Sequence, residues 1–124
     1  MLKRSLLVAL LVLAPAVSAR AQNEVPFDND LQRLSEILGA LHYLRGICGA
    51  NEGQKWRNEM QALIEAETPA GSARRSRLMA SFNRGYQGFQ QSYRTCTPAA
   101  QLAIRRYLDE GARISREVTA RYAN

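Results

Sequence analysis

From Asp28 to the end of the chain, apolar residues recur every three or four positions, and no stretch shows strand-like alternation. This spacing restricts the chain to an all-α fold. Leu31, Leu34, Leu38, Leu41, Leu44 and Cys48 make one stripe, with Asp28 or Asn29 as its N-cap, and Gly49 ends it. Asn51 opens a second helix, with Gln54 three residues on as in a capping box, and Trp56, Met60, Leu63 and Ile64 form its apolar face. Thr68-Pro69-Ala70-Gly71 breaks it, and Ser72 caps a third helix carrying Leu78, Phe82, Phe89 and Tyr93, flanked by Met79 and Tyr86. Thr97-Pro98 is a start signal, a capping hydroxyl before a proline at the first helical position. The fourth helix is expected to bury Ala100, Ile104, Leu108, Gly111, Ile114, Val118 and Tyr122.

Short links between four helices favour an up-down, bundle-like arrangement. In that order the first and third helices run the same way, so their C-terminal ends, which carry Cys48 and Cys96, meet at one end of the domain. An exported chain with two cysteines is expected to form one disulfide. A redox pair or a metal site is the alternative. The first would want C-x-x-C spacing and the second more ligands than two cysteines and the lone His42 supply. Closing the long loop between the cysteines would stabilise the fold by roughly 4 kcal/mol.

Export is read from the N-terminus. Lys3 and Arg4 precede an apolar run from Leu6 to about Val17, and Ala19-Arg20-Ala21 follows, the order of a secretory signal peptide. The run contains Pro15 and falls short of the roughly 20 residues that span a bilayer. Residues 1–21 are therefore expected to be a signal peptide, 22–30 an N-terminal extension and 31–124 a single helical domain, exported to the periplasm with no transmembrane segment after cleavage. Lys3, Arg4 and Arg20 leave with the signal and take half of the net charge of +6 with them. The remaining cations are all Arg except Lys55, which favours forked contacts with carboxylates or phosphates over diffuse attraction and makes no case for nucleic acid.

Rare residues gather in LHYLRGICGANEGQKWR, Leu41 to Arg57. His42 lies at the flank of its helix's stripe, and no motif supplies the orienting carboxylate and nucleophile that a catalytic His needs. Glu52, Glu59, Glu65 and Glu67 supply carboxylates around the second helix, and two opposed carboxylates can hydrolyse glycosidic bonds; an envelope hydrolase would use Glu52 or Glu59 with His42. Glu59, Glu65 and Glu67 also have Arg57, Arg74, Arg75 and Arg77 as ready partners. Arg74, Arg75 and Arg77 oppose the helix dipole at the start of the third helix, offset by Glu65 and Glu67 or by an anionic partner. On the fourth helix Arg105 to Asp109, Arg106 to Glu110, Asp109 to Arg113 and Arg113 to Glu117 read as i,i+4 pairs of a solvated face.

Ser81, Gly85, Gly88 and Ser92 form a strip of small residues along the third helix, as expected for close packing on a neighbouring helix. Gly39, Tyr43 and Gly46 form a comparable strip away from the first helix's core stripe, where contact with another chain is expected.

LGALHYLRGICGANEGQKWRNEMQALIEAE, then SFNRGYQGFQQSYRTCTPAA and the closing RRYLDEGARISREVTARYAN, carry the motifs LHYLR-x-x-C, E-G-x-x-W-R, FNRGY and Y-R-T-C-T-P. In these the chain resembles, from about Leu31 to Asn124, a family of small exported proteins from alphaproteobacteria catalogued as a domain of unknown function. The resemblance implies a Gram-negative periplasmic location and paired cysteines, and carries no catalytic residue over.

The function expected from the residues is that of a non-catalytic periplasmic binding or adaptor protein in cell-envelope maintenance. Its surface would be Gly39, Tyr43 and Gly46, the Glu52-Trp56-Arg57 end of the second helix, and Arg74, Arg75 and Arg77. The partner would be another envelope protein or peptidoglycan; no cofactor or metal is expected. One alternative is an envelope hydrolase using His42, Glu52 and Glu59. Another is a small-ligand carrier with a cavity lined by Phe82, Tyr86, Phe89 and Trp56.

Overall fold

The computed structural model describes residues 27–122; the expected signal peptide and most of the expected N-terminal extension lie outside the described residues. Four helices follow in order: α1 (Asp28–Ile47), α2 (Lys55–Glu67), α3 (Ala73–Ser92) and α4 (Pro98–Tyr122). The described residues contain no strand. The directions alternate, up and down, but the arrangement is not a square. α1 is the hub: it packs on α2, α3 and α4, whereas no Cα of α4 comes within 8 Å of α2 or α3 among the described residues.

The reason lies in α1 itself, whose apolar positions are not confined to one stripe. Leu31 and Leu38 join Met60, Ile64, Leu78 and Phe82 in one cluster. Ile37, Leu41 and Leu44 join Ala100, Ile104 and Ile114 in a second. A helix apolar on several sides is driven to the centre, because each of those sides must leave water.

Its remaining side is built from small residues and lies on α3. Ser35 and Gly39 on α1 face Ser81 and Gly85 on α3, and all four are buried. A Cβ on Gly39 would fall on the carbonyl oxygen of Phe82, and one on Gly85 on that of Glu36. The backbones are thus in contact, and α1 and α3, diagonal in a square bundle, are here adjacent. The two serine hydroxyls can be buried at such a crossing because each donates to its own helix, Ser35 to Leu31 O at 2.7 Å and Ser81 to Arg77 O at 3.1 Å.

The ends are tied by local chemistry. Gly49 at φ 79° ends α1, with Ala50 N bonding Arg45 O and Gly49 N bonding Gly46 O, the paired contacts of a Schellman motif. Ser72 caps α3 by accepting from Arg75 N, and Thr97 caps α4 by accepting from Ala100 N. Cys48 and Cys96 form a disulfide, with Cα atoms 4.8 Å apart and a sequence separation of 48, so the parallel ends of α1 and α3 meet as the cysteine placement requires.

Four local expectations need correction. Neither Asp28 nor Asn29 caps α1: the helix already includes both, and Asp28 turns its carboxylate to Arg74. α2 begins at Lys55 rather than near Asn51, because Glu52 is engaged by Arg45 and Trp56 and holds the preceding link out of the helix. The buried stripe of α4 passes through Tyr107, leaving Leu108 36% exposed. Of the four expected pairs on α4 only Arg113 to Glu117 forms among the described residues, and Glu110, expected to pair with Arg106, is drawn across to Arg33 on α1.

Candidate functional site: two clefts along the fourth helix

The residues singled out in the sequence divide into those used by the fold and those left at its surface. Gly39 and Tyr43 belong to the first group. Gly39 is the α1–α3 crossing point, and the Tyr43 hydroxyl donates to the carbonyl of Tyr93 while its ring meets Tyr86 edge-on at 5.4 Å. Their strip faces α3, not another chain, because α1 has no outward side of the kind a square bundle would leave it. Gly46 alone of the three is exposed. On α3 the expectation of close packing holds for Ser81 and Gly85; Gly88 and Ser92 are exposed.

Glu52, Arg45 and Trp56 form a clasp across the α1–α2 link. Arg45 donates to both carboxylate oxygens of Glu52, and Trp56 Nε1 donates to one of them at 2.6 Å. The Arg45 hydrogen bond, followed by that of Trp56, holds the Glu52 carboxyl below its ordinary range despite partial desolvation. An acid held ionised in this way is a poor proton donor.

His42 packs against Phe82 and Tyr86, with ring centroids 6.0 and 5.5 Å away. Burial, and then the charge of Arg57, lowers its pKa. Glu59 is exposed on the side of α2 that faces α4. Among the described residues no hydrogen bond joins His42 to Glu52 or Glu59.

The Arg cluster is likewise divided. Arg74 is buried against Asp28, donating to Oδ1 at 2.7 Å, and also donates to Glu67 O. The bond to Asp28 raises the Arg74 pKa against the opposing effect of burial. Arg75 and Arg77 are half-buried, with Nη2 of Arg77 buried and without a hydrogen-bond partner among the described residues, and Arg57 is exposed. Among the described residues no group of three or more His, Cys, Asp or Glu is placed to hold a metal ion.

What remains open is the space on either side of α4. Between α4 and α2 a cleft of about 260 Å³ has Leu34, Leu38 and Leu41 of α1 as its floor and Trp56, Leu108 and Ala112 as its flanks. Between α4 and α3 a second cleft, of about 360 Å³, is lined by Phe89, Tyr93, Leu102, Arg106 and Tyr107. It is closed at one end by Arg33 and Glu110, which are joined by two hydrogen bonds of 2.8 and 2.9 Å. Those bonds hold the Glu110 carboxyl below its ordinary range.

Phe82, Tyr86, Phe89 and Trp56 do not share a cavity. Trp56 lies at one cleft and Phe89 at the other, Phe82 borders a separate crevice of about 80 Å³ between α2 and α3, and Tyr86 packs on His42 and Tyr43. Sequence periodicity could not show either cleft, because it does not tell which helices fail to touch.

Helices gathered on a central helix and joined by one disulfide define a small all-helical, disulfide-bonded domain. The chain matches the family described as "Protein of unknown function (DUF2385)" over residues 26–122, and it belongs to that family. No curated protein and no solved structure matches it. No helix among the described residues is long and apolar enough to cross a membrane.

Proposed function

We propose that this chain is a non-catalytic binding or adaptor protein of the periplasm, acting in cell-envelope maintenance, and that a partner's amphipathic helix lies in the cleft between α2 and α4. One observation carries the reading: α4 stands clear of α2, so apolar residues of the central helix floor an open cleft where a further helix would otherwise sit. From Leu34 to Leu41 the floor spans two helical turns, about 10 Å, a length that receives apolar anchors at i, i+4 and i+7 of a partner. The half-exposed Leu108 and the small Ala112 leave the α4 side accessible to close approach. Export is supported by the order of Lys3, Arg4, the apolar run and Ala19-Arg20-Ala21, and by a disulfide of the kind that persists in oxidising compartments.

The hydrolase reading has less behind it, since Glu52 is committed to Arg45 and Trp56 and His42 faces α3. Fragments released from peptidoglycan sacculi by the pure protein, and lost with Glu52→Gln, would restore it.

The direct test is photo-crosslinking in living cells with a photoreactive residue at Ala112 and, as control, at Arg113 on the outer face. A discrete adduct at Ala112 and none at Arg113 is expected, and identifies the partner. No adduct at either position, or equal smears at both, overturns the cleft as the docking site.

A further inference from the structure

The cleft between α3 and α4 differs in chemistry from the cleft between α2 and α4, and its occupant is independent of the partner helix assigned there. Its floor is aromatic. Phe89 and Tyr93 lie nearly parallel, with centroids 6.0 Å apart and planes 11° apart, and Tyr107 meets Phe89 edge-on at 5.5 Å. These ring contacts bridge two helices whose backbones do not approach within 8 Å. The space beside them, about 360 Å³, falls in the size range of small-molecule sites.

The charges around the rings are unevenly matched. Glu110 stands four residues beyond Arg106, where an exposed helix would pair them. Instead both of its oxygens accept from Arg33, whose guanidinium also lies over the Tyr107 ring at 5.4 Å. Arg33 also pairs with Glu36 at 3.2 Å, so the charges at this end are committed to one another, and Arg106, exposed on the cleft's edge, has no ion-pair partner among the described residues. Ala99, in the first turn of α4, borders the same cleft, and the positive end of a helix favours negative charge. Leu102, on the same face, remains 40% exposed.

A flat ring prefers offset or edge-on contact with other rings. A free guanidinium matches a carboxylate through two parallel hydrogen bonds. From the aromatic floor, the commitment of Glu110 to Arg33 and the Arg106 left unpaired by it, we infer that this cleft binds a small aromatic carboxylate, its ring against Phe89 and Tyr93 and its carboxylate on Arg106. Binding of this kind would make the protein a carrier or sensor of such acids in addition to any protein partner.

The test is a backbone-amide NMR titration of the oxidised protein with naphthoate and with its neutral isostere naphthamide. Naphthoate should produce saturable shifts at Phe89, Ala99, Leu102 and Arg106, and bind about tenfold more tightly than the amide, the ratio for one charge-assisted contact. Arg106→Gln should bring naphthoate down to the level of the amide, while Arg105→Gln, outside the cleft, should leave it unchanged. Both residues are exposed, so neither substitution disturbs the fold. Equal binding of acid and amide, shifts centred elsewhere, no shifts at millimolar ligand, or an Arg106→Gln variant that binds naphthoate as before would each overturn the inference.

Discussion

Gly39 and Gly85 meet across the parallel pair α1 and α3 so closely that a methyl group on either would fall on a carbonyl oxygen of the opposite helix. The contact explains why α1 became the hub. With α3 drawn against it by small residues on both helices, α2 and α4 pack on α1 with their backbones apart.

That crossing predicts opposite signs for the same substitution at two glycines of one helix. Gly85→Ala should destabilise the fold by about 1–3 kcal/mol or more, since the obstructing atoms are backbone and cannot rotate away. Gly88→Ala, where nothing lies within 4 Å of the added methyl, should stabilise by about 0.5–1 kcal/mol through helix propensity. Chemical denaturation of the two variants measures both.

The buried pair Asp28–Arg74 joins the starts of α1 and α3, with side chains 9% and 10% exposed. Arg74→Met should cost about 3–5 kcal/mol, because it leaves a carboxylate buried without its guanidinium. Adding Asp28→Leu to that variant should recover much of the loss, so the double-mutant cycle should show strong coupling.

Acid should weaken the fold in two stages. His42 is held below its ordinary value of 6.5 by burial and by Arg57, so its contribution is fully present above that pH. It is lost as pH falls through the folded value, because the unfolded chain takes up the proton first. Glu52 and Glu110 are held below 4.5 by Arg45 and Arg33, and their contribution is lost in turn at lower pH. Unfolding free energy measured against pH should therefore decline below 6.5 and again below 4.5. His42→Gln should remove the first decline and leave the second.

Reducing the Cys48–Cys96 bond, or replacing both cysteines with Ser, should lower stability by about 4 kcal/mol, given a closed loop of sequence separation 48. Thiol labelling of native protein should be absent before reduction and complete after it. Labelling of both cysteines in freshly isolated protein would contradict the bond.

Most of the fold was legible in the order of residues. The four helices follow from apolar spacing, and two of their starts from Ser72 and Thr97-Pro98, because caps and periodicity are local properties of the chain. The parallel course of α1 and α3 was also readable, since two cysteines at like ends leave few other arrangements. The segments that carry the family resemblance turn out to be largely structural. Arg45, Glu52 and Trp56 clasp the first link, Phe82 and Gly85 pack the central crossing, and Cys96 and Thr97 fasten the last link.

Which side of α1 faced which neighbour was not legible. Gly39 and Tyr43 carry no mark that says whether a small-residue strip meets another chain or another helix of the same one; only the approach of Gly85 decides it. The same holds for Glu110, whose choice of Arg33 over Arg106 depends on a partner 77 residues away in the chain. Local spacing determined the helices, their ends and the staple. The tertiary structure alone decided that the backbone of α4 stands clear of those of α2 and α3, and so where the clefts lie, because a gap between helices is a relation among distant segments that no single segment encodes.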